Sequence, residues 1–385
     1  MRVEHNISRL NYLLGLYKIS VEELLVMINL DLKNKIRKDD ILSNTIDLRF
    51  LKRIDKVFNK GLAFYLDPKD ITKSKEASIF FRKKRFNSEL NIGAKKIVNH
   101  YEEMKLSLSA ISKLAEIDIS RKIPIYSIKD NPRKVAKEIR KILYPDFNRN
   151  MKIFLKSIIS KLAENNILVF EFVETWNKKE TANIDGFFIN PNLIVIKRYQ
   201  RAFRIEIFTL IHELGHFLIN EEEIEKIDFN YLAKDNLSKI EKWCNDFSFH
   251  FLAGEHGEIL DNIEQATENN DFHYSLIDTI SKKTHLSRIA LFTRLLYQKK
   301  ISKKNYSIIK ANFDEEYRIK REEEKLKKEA EKEMGIKHQG RSPQPIKSPL
   351  LISTVQTAFY EGILNEYQVC KTLSINPNKL DKYLL

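Results

Sequence analysis

RIEIFTLIHELGHFLI, residues Arg204–Ile219, is the stretch from which the rest of this 385-residue chain can be read. Apolar Phe208, Ile211, Leu218 and Ile219 recur at helical spacing, which predicts a buried helix over Ala202–Ile219. A helix turns about 100° per residue, so residues four apart share a face. His212 and His216 therefore present two imidazoles to a single ion. A catalytic site of this kind takes three protein ligands and keeps a fourth place open. Glu213 can lean over that place, take a proton from an attacking water and pass it to a leaving amine. Gly215 costs the helix about 1 kcal/mol relative to Ala. Its missing side chain predicts that another backbone passes close by.

The third ligand has to come from elsewhere, and a second helix carrying an acid is the natural source. Glu241 is our choice, in the helical segment SKIEKWCNDFSFHFLA (Ser238–Ala253). Asn245 lies one turn on and shares its face, where it can hydrogen-bond the far nitrogen of a ligating imidazole. Glu221, Glu222, Glu223, His250 and His256 are the rivals on spacing alone. For an oxyanion donor, Tyr231, His250 and His256 are the candidates. Upstream, ILVFEF (Ile167–Phe172), DGFFINP and NLIVIKRY (Asn192–Tyr199) read as strands, the last two joined by a turn at Asn190-Pro191-Asn192. Either hairpin strand can supply an exposed edge for an extended substrate.

Two strands, FTLIHELGHFLI, and a later E-x-x-C-N-x-F running from Glu241 to Phe247 together resemble the ImmA/IrrE-type metallopeptidases. The resemblance implies one zinc ion held by His212, His216 and Glu241, with Glu213 as the base and Asn245 in support. Cys244 stands where a small Ala is usual, and FHFLAG (Phe249–Gly254) replaces a Leu-Leu-Met-Pro phrase. SIFFRKKRF (Ser78–Phe86) and ISKKTHLSRIALFTRLLYQKKIS (Ile280–Ser302) resemble further segments of longer members. The N-terminus resembles a Cro/C1-type helix-turn-helix domain. Residues Ile19–Leu24 match its second helix and Asn29-Leu30-Asp31 its turn, which implies a recognition helix from about Leu32 to Lys38. Lys33, Lys35, Arg37 and Lys38 would be its DNA contacts.

These readings predict an α+β, mostly helical protein. A zincin-like peptidase core with a small β-sheet follows an all-α helix-turn-helix-like domain. The expected organisation is a helix-turn-helix-like domain over 1–70, a helical connector over 71–130, the peptidase core over 131–260 and a helical region over 261–385. Within the last, Glu315–Gly335 is a charged helix or a disordered run.

Composition bounds the function. Formal net charge is +14, and the first 100 residues hold 21 Lys+Arg against 12 Asp+Glu. Such a basic excess attracts polyanions, DNA above all. The two cysteines, Cys244 and Cys370, exclude a disulfide framework and fit a reducing cytoplasm. No signal peptide or run of about 18 apolar residues is present, so no membrane partner is expected. The resemblance implies a regulatory metalloendopeptidase that cuts one repressor- or antitoxin-like protein, at DNA or off it, in mobile-element, stress or phage-related control. Two alternatives stand beside it. One is a DNA-binding transcriptional regulator with an idle or structural metal site. The other is a toxin or defence protease held inactive by a partner. Cro/C1-like domains often pair, which leaves a homodimer open.

Overall fold

The computed structural model describes the chain except residues 31, 72–77, 80–89, 174–180, 200–201, 226–237, 267–272, 336–343 and 385. It is mostly helical with two small sheets, and it divides into two compact units, Met1–Glu103 with Glu180–Asn183, and Met104–Lys179 with Ile184–Leu385. No helix among the described residues is long and apolar enough to cross a membrane.

The first unit holds strand β1 (Arg2–Glu4), helices α1 (Ile7–Tyr17), α2 (Val21–Ile28) and α3 (Lys38–Leu42), strand β2 (Thr45–Asp47), and helices α4 (Leu48–Phe58) and α5 (Leu62–Leu66). Ser20 and Glu23 form the capping box that starts α2, each side chain bonding the other residue's backbone N–H. The unit is not all-α, because β1 and β2 pair antiparallel with Val3 opposite Ile46. The expected recognition helix also fails to form. Residues 32–37 are non-helical, and α3 begins only at Lys38. The side chain of Asn29 accounts for this locally. Its amide donates to Ile36 O at 2.9 Å and accepts from Ile36 N at 2.7 Å, so Ile36 turns inward and the backbone is spent on a loop. Lys33, Lys35 and Arg37 are exposed on that loop and Lys38 opens α3. Most of SIFFRKKRF lies outside the described residues.

The division falls within α6 (Ile92–Leu114). The second unit continues with α7 (Pro132–Leu143), α8 (Met151–Glu164), strands β3 (Leu168–Phe172), β4 (Gly186–Ile189) and β5 (Leu193–Lys197), α9 (Phe203–Ile219), the two-residue β6 (Ile224–Glu225) and α10 (Lys239–Ala253). Asn131 caps α7 ahead of Pro132, whose fixed φ suits the first helical turn. The strands carry Val, Ile, Leu and Phe on both faces, and both faces are buried.

The sheet order is β3-β5-β4-β6. β3 and β5 are parallel, with Leu168 opposite Leu193, and the other neighbours are antiparallel. The Asn190–Pro191 bond in the β4–β5 turn is cis. Neither hairpin strand offers the free edge expected of it. β5 is interior, and β4 is paired on both sides because a short strand after the His-bearing helix lies along it. Sequence reading missed β6, since two residues show no periodicity.

After α10 come α11 (His256–Asn262), α12 (Tyr274–Thr284), α13 (Arg288–Tyr297), α14 (Lys303–Glu333), α15 (Pro349–Tyr360), α16 (Glu366–Leu373) and α17 (Asp381–Leu384). The charged run is thus helical through Glu333. Residue 260 is no boundary. Ile277, Ile280, Leu291, Phe292, Leu295 and Ile309 belong to one apolar core with the residues of α7 to α10. The Glu171 carboxylate, pushed up to about 7 by burial, accepts from Ile346 N at 2.5 Å and so ties the segment before α15 to β3.

Candidate metal centre

α9 is gripped at both ends. Near its start, Glu206 is fully buried, pairs with the Arg198 guanidinium and accepts from Tyr199 N at 2.6 Å. At its end, Arg121 donates to the carbonyl of Phe217 at 2.7 Å and reaches that of Leu218 at 3.3 Å. A cation there satisfies orphan carbonyls and suits the negative end of the helix. Asn220 closes the helix in the left-handed conformation.

Gly215 meets the expectation of a close approach. A side-chain carbon placed there would lie 3.1–3.2 Å from the Sγ, Cα and Cβ of Cys244. α9 and α10 therefore touch at that point, which brings the next helix's carboxylate to the two imidazoles. Cys244, the departure from the usual Ala, fills this contact and not the site itself.

The structure brings together the three ligands chosen from the sequence. Glu241 Oε2 lies 3.2 Å from His212 Nε2, and Oε1 lies 3.2 Å from His216 Nε2. The two Nε2 atoms are also 3.2 Å apart. All three side chains are buried, and they are the one group among the described residues placed to hold a metal ion. Glu241 stands in the first turn of α10, where helix polarity favours an anion, and Ser238 Oγ caps its backbone N–H at 3.1 Å.

The far nitrogens decide what the near ones are. His216 Nδ1 lies 3.2 Å from the Glu221 carbonyl, which can only accept, so Nδ1 carries the proton. His212 Nδ1 lies 3.0 Å from Asn245 Oδ1, the support expected of Asn245. With the rings neutral, each turns a bare Nε2 lone pair toward the same point as the Glu241 carboxylate. Acceptors packed in this way repel unless a cation sits between them. Metal–ligand distances of about 2.0–2.1 Å in a tetrahedron give ligand–ligand spacings of about 3.3 Å, close to those observed. The group therefore fits a metal ion.

Glu213 is buried beside this group, and its Oε2 has no hydrogen-bond partner among the described residues. Burial pushes its carboxyl up to about 8, with Glu241, Glu223 and Asp185 pushing the same way against the pull of His212. A cation at the three ligands would favour the ionised form and offset this. β4 passes close: a side chain at Gly186 would come within 2.9 Å of Glu213 Oε1 and 2.8 Å of Thr209 Cγ2. Asp185 and Gly186 were not singled out from the sequence as parts of this site, and Glu221 and Glu223 were weighed there only as rival ligands. Their roles depend on the sheet and on the turn after α9.

None of the rivals joins the three ligand atoms, although buried Glu223 bears on Glu213. Glu222 accepts from Asn190 N, and Glu221 contributes its backbone. His250 hydrogen-bonds Arg294 farther along α10, and burial together with that guanidinium lowers it to about 4. His256 is in α11, and Tyr231 lies outside the described residues. No oxyanion donor is identified among the three.

If the group holds a metal ion, Asn245→Ala should weaken its binding about 10- to 100-fold, because it frees the His212 ring and leaves His212, His216 and Glu241 in place. A competition titration against a chelator of known affinity measures this. Unchanged affinity would remove Asn245 from the site.

Set against models of known protein families, curated proteins and solved structures, the chain matches none.

Proposed function

We propose that the protein is a zinc-dependent endopeptidase that cuts one specific protein partner, of repressor or antitoxin type, on a zincin-like core formed by α9, α10 and the sheet. The observation that carries this is the buried Glu213 Oε2, without a hydrogen-bond partner among the described residues, beside three inward-facing candidate ligand atoms. Two imidazoles and one carboxylate suit zinc, and three ligands rather than four leave a place for chemistry.

Zinc held there would supply Lewis acidity, polarising the scissile carbonyl and making an attacking water more acidic. The chain's own residues do the rest. His212, His216 and Glu241 fix the position, and Asn245 and the Glu221 carbonyl fix both ring orientations. Glu213 Oε2 takes the proton of the water and delivers it to the leaving amine. DNA contact is left out of the proposal, because the residues expected to form a recognition helix are non-helical.

The test is to incubate the zinc-loaded protein with the products of adjacent genes. One partner should be cut at one position, the cut should vanish with a chelator, and zinc should restore it. Failure to bind zinc in a one-to-one ratio, or cleavage that persists with zinc removed, would overturn the reading.

A further inference from the structure

β4 is the strand that runs against the proposed base, since Gly186 leaves no room for a side chain above Glu213. A peptide laid along the outer edge of β4 would pass beside Glu213. That edge is already taken. Glu225 pairs with Gly186, and Ile224 with Phe187. Beyond Ile189, Asn190 N donates to Glu222 Oε1 at 2.9 Å. The Ile224 side chain is fully buried and Glu223 is buried with it. The covering segment follows the metal helix directly, through Asn220 and the Glu221 carbonyl that holds His216.

We infer that residues 222–225 occupy the substrate's own place along β4, and that a partner is cut only when an extended segment of it, with an aliphatic residue where Ile224 lies, displaces them. The inference rests on the hydrolase reading and adds the regulation and substrate class of the same site. Extended segments bind sheet edges through backbone hydrogen bonds, and side-chain slots set specificity. The edge of β4 offers both, and the slot now filled by Ile224 is apolar. Among the described residues β6 pairs with Gly186 and Phe187 alone of the four residues of β4, so a segment that also pairs along Phe188 and Ile189 can out-pair it. Displacement from Glu222 onward leaves the Glu221 carbonyl on His216, so the site stays assembled while its edge opens. Chains that cannot compete for the edge are not cut, which gives limited proteolysis without a separate inhibitor.

The test compares two probes on the zinc-loaded full chain: acetohydroxamate, which needs only the metal, and a leucine-containing peptide hydroxamate, which also needs the strand edge. In Ile224→Asp the peptide probe should gain at least tenfold in affinity over wild type while acetohydroxamate is unchanged. Ile224→Ala, a milder change should the first variant not fold, should gain at least threefold. Amide exchange at residues 222–225 should speed up when the peptide probe binds wild type. An equal peptide-probe affinity in wild type and variants, or continued protection of residues 222–225 in the complex, overturns the inference and leaves the hydrolase reading standing. Failure of acetohydroxamate to bind overturns both.

Discussion

Glu213→Gln should abolish cleavage and leave zinc in place. The substitution keeps the shape of the side chain and removes its capacity to carry a proton. Loss of a positioned general base lowers rates on the order of 10²–10⁴-fold. Zinc content should stay at one per chain, since Glu213 is not among the three residues that would hold the ion, His212, His216 and Glu241. The same variant carries a second signature. In the metal-free protein the Glu213 carboxyl is raised from 4.5 to about 8, mainly by burial. A carboxyl raised on folding adds stability that is fully present below pH 4.5 and lost as the pH climbs toward 8. Gln does not titrate, so metal-free Glu213→Gln should outlast metal-free wild type at pH 8, by a few kcal/mol at most. Denaturant melts at pH 5 and pH 8 measure the difference. A variant that cuts as fast as wild type removes Glu213 from the role, and one that gains nothing in stability at pH 8 shows that burial does not raise the carboxyl in the metal-free protein.

What could be read from the sequence were the parts with a period. α9 appears where the spacing of Phe208, Ile211, Leu218 and Ile219 puts it, and β3, β4 and β5 fall within a residue or two of their apolar runs. The pairing of Glu241 with the two imidazoles, and of Asn245 with His212, follows from two four-residue spacings once the helices touch at Gly215. What could not be read depends on contacts distant in sequence or too short to repeat. β6 is described over Ile224–Glu225 alone, too short to show a period, and lies along the edge of β4. Asp185 and Glu223 bear on Glu213 only through the sheet's placement over the helix. At residues 32–37 one side chain, Asn29, outweighed the helical expectation by holding both backbone groups of Ile36. The sequence sets a helical region over 261–385 apart from the peptidase core because nothing local records that Phe292 and Ile309 share a core with α9.

Glu241 separates a metal centre from an ordinary buried ion pair, because the two make opposite demands on it. As a ligand, its charge matters to zinc and is a burden without it. As the partner of a protonated imidazole, its charge matters to the fold. Glu241→Gln keeps the shape, so the two cases part cleanly. With the Nδ1 protons on the Asn245 and Glu221 sides, both Nε2 atoms are acceptors, and the amide that replaces the carboxylate can donate to one of them. Zinc should then be lost from the variant, with content below about a tenth of wild type by elemental analysis, since two imidazoles alone make a poor site. The metal-free variant should be at least as stable as metal-free wild type. Zinc at about a thousand times its dissociation constant stabilises wild type by about 4 kcal/mol. That raises its melting temperature on the order of 10 °C and should leave Glu241→Gln unmoved. The contrary result is equally definite. If the variant melts well below wild type in chelator, and zinc moves neither protein, the 3.2 Å contacts around Glu241 are imidazolium–carboxylate pairs and the hydrolase reading falls with them.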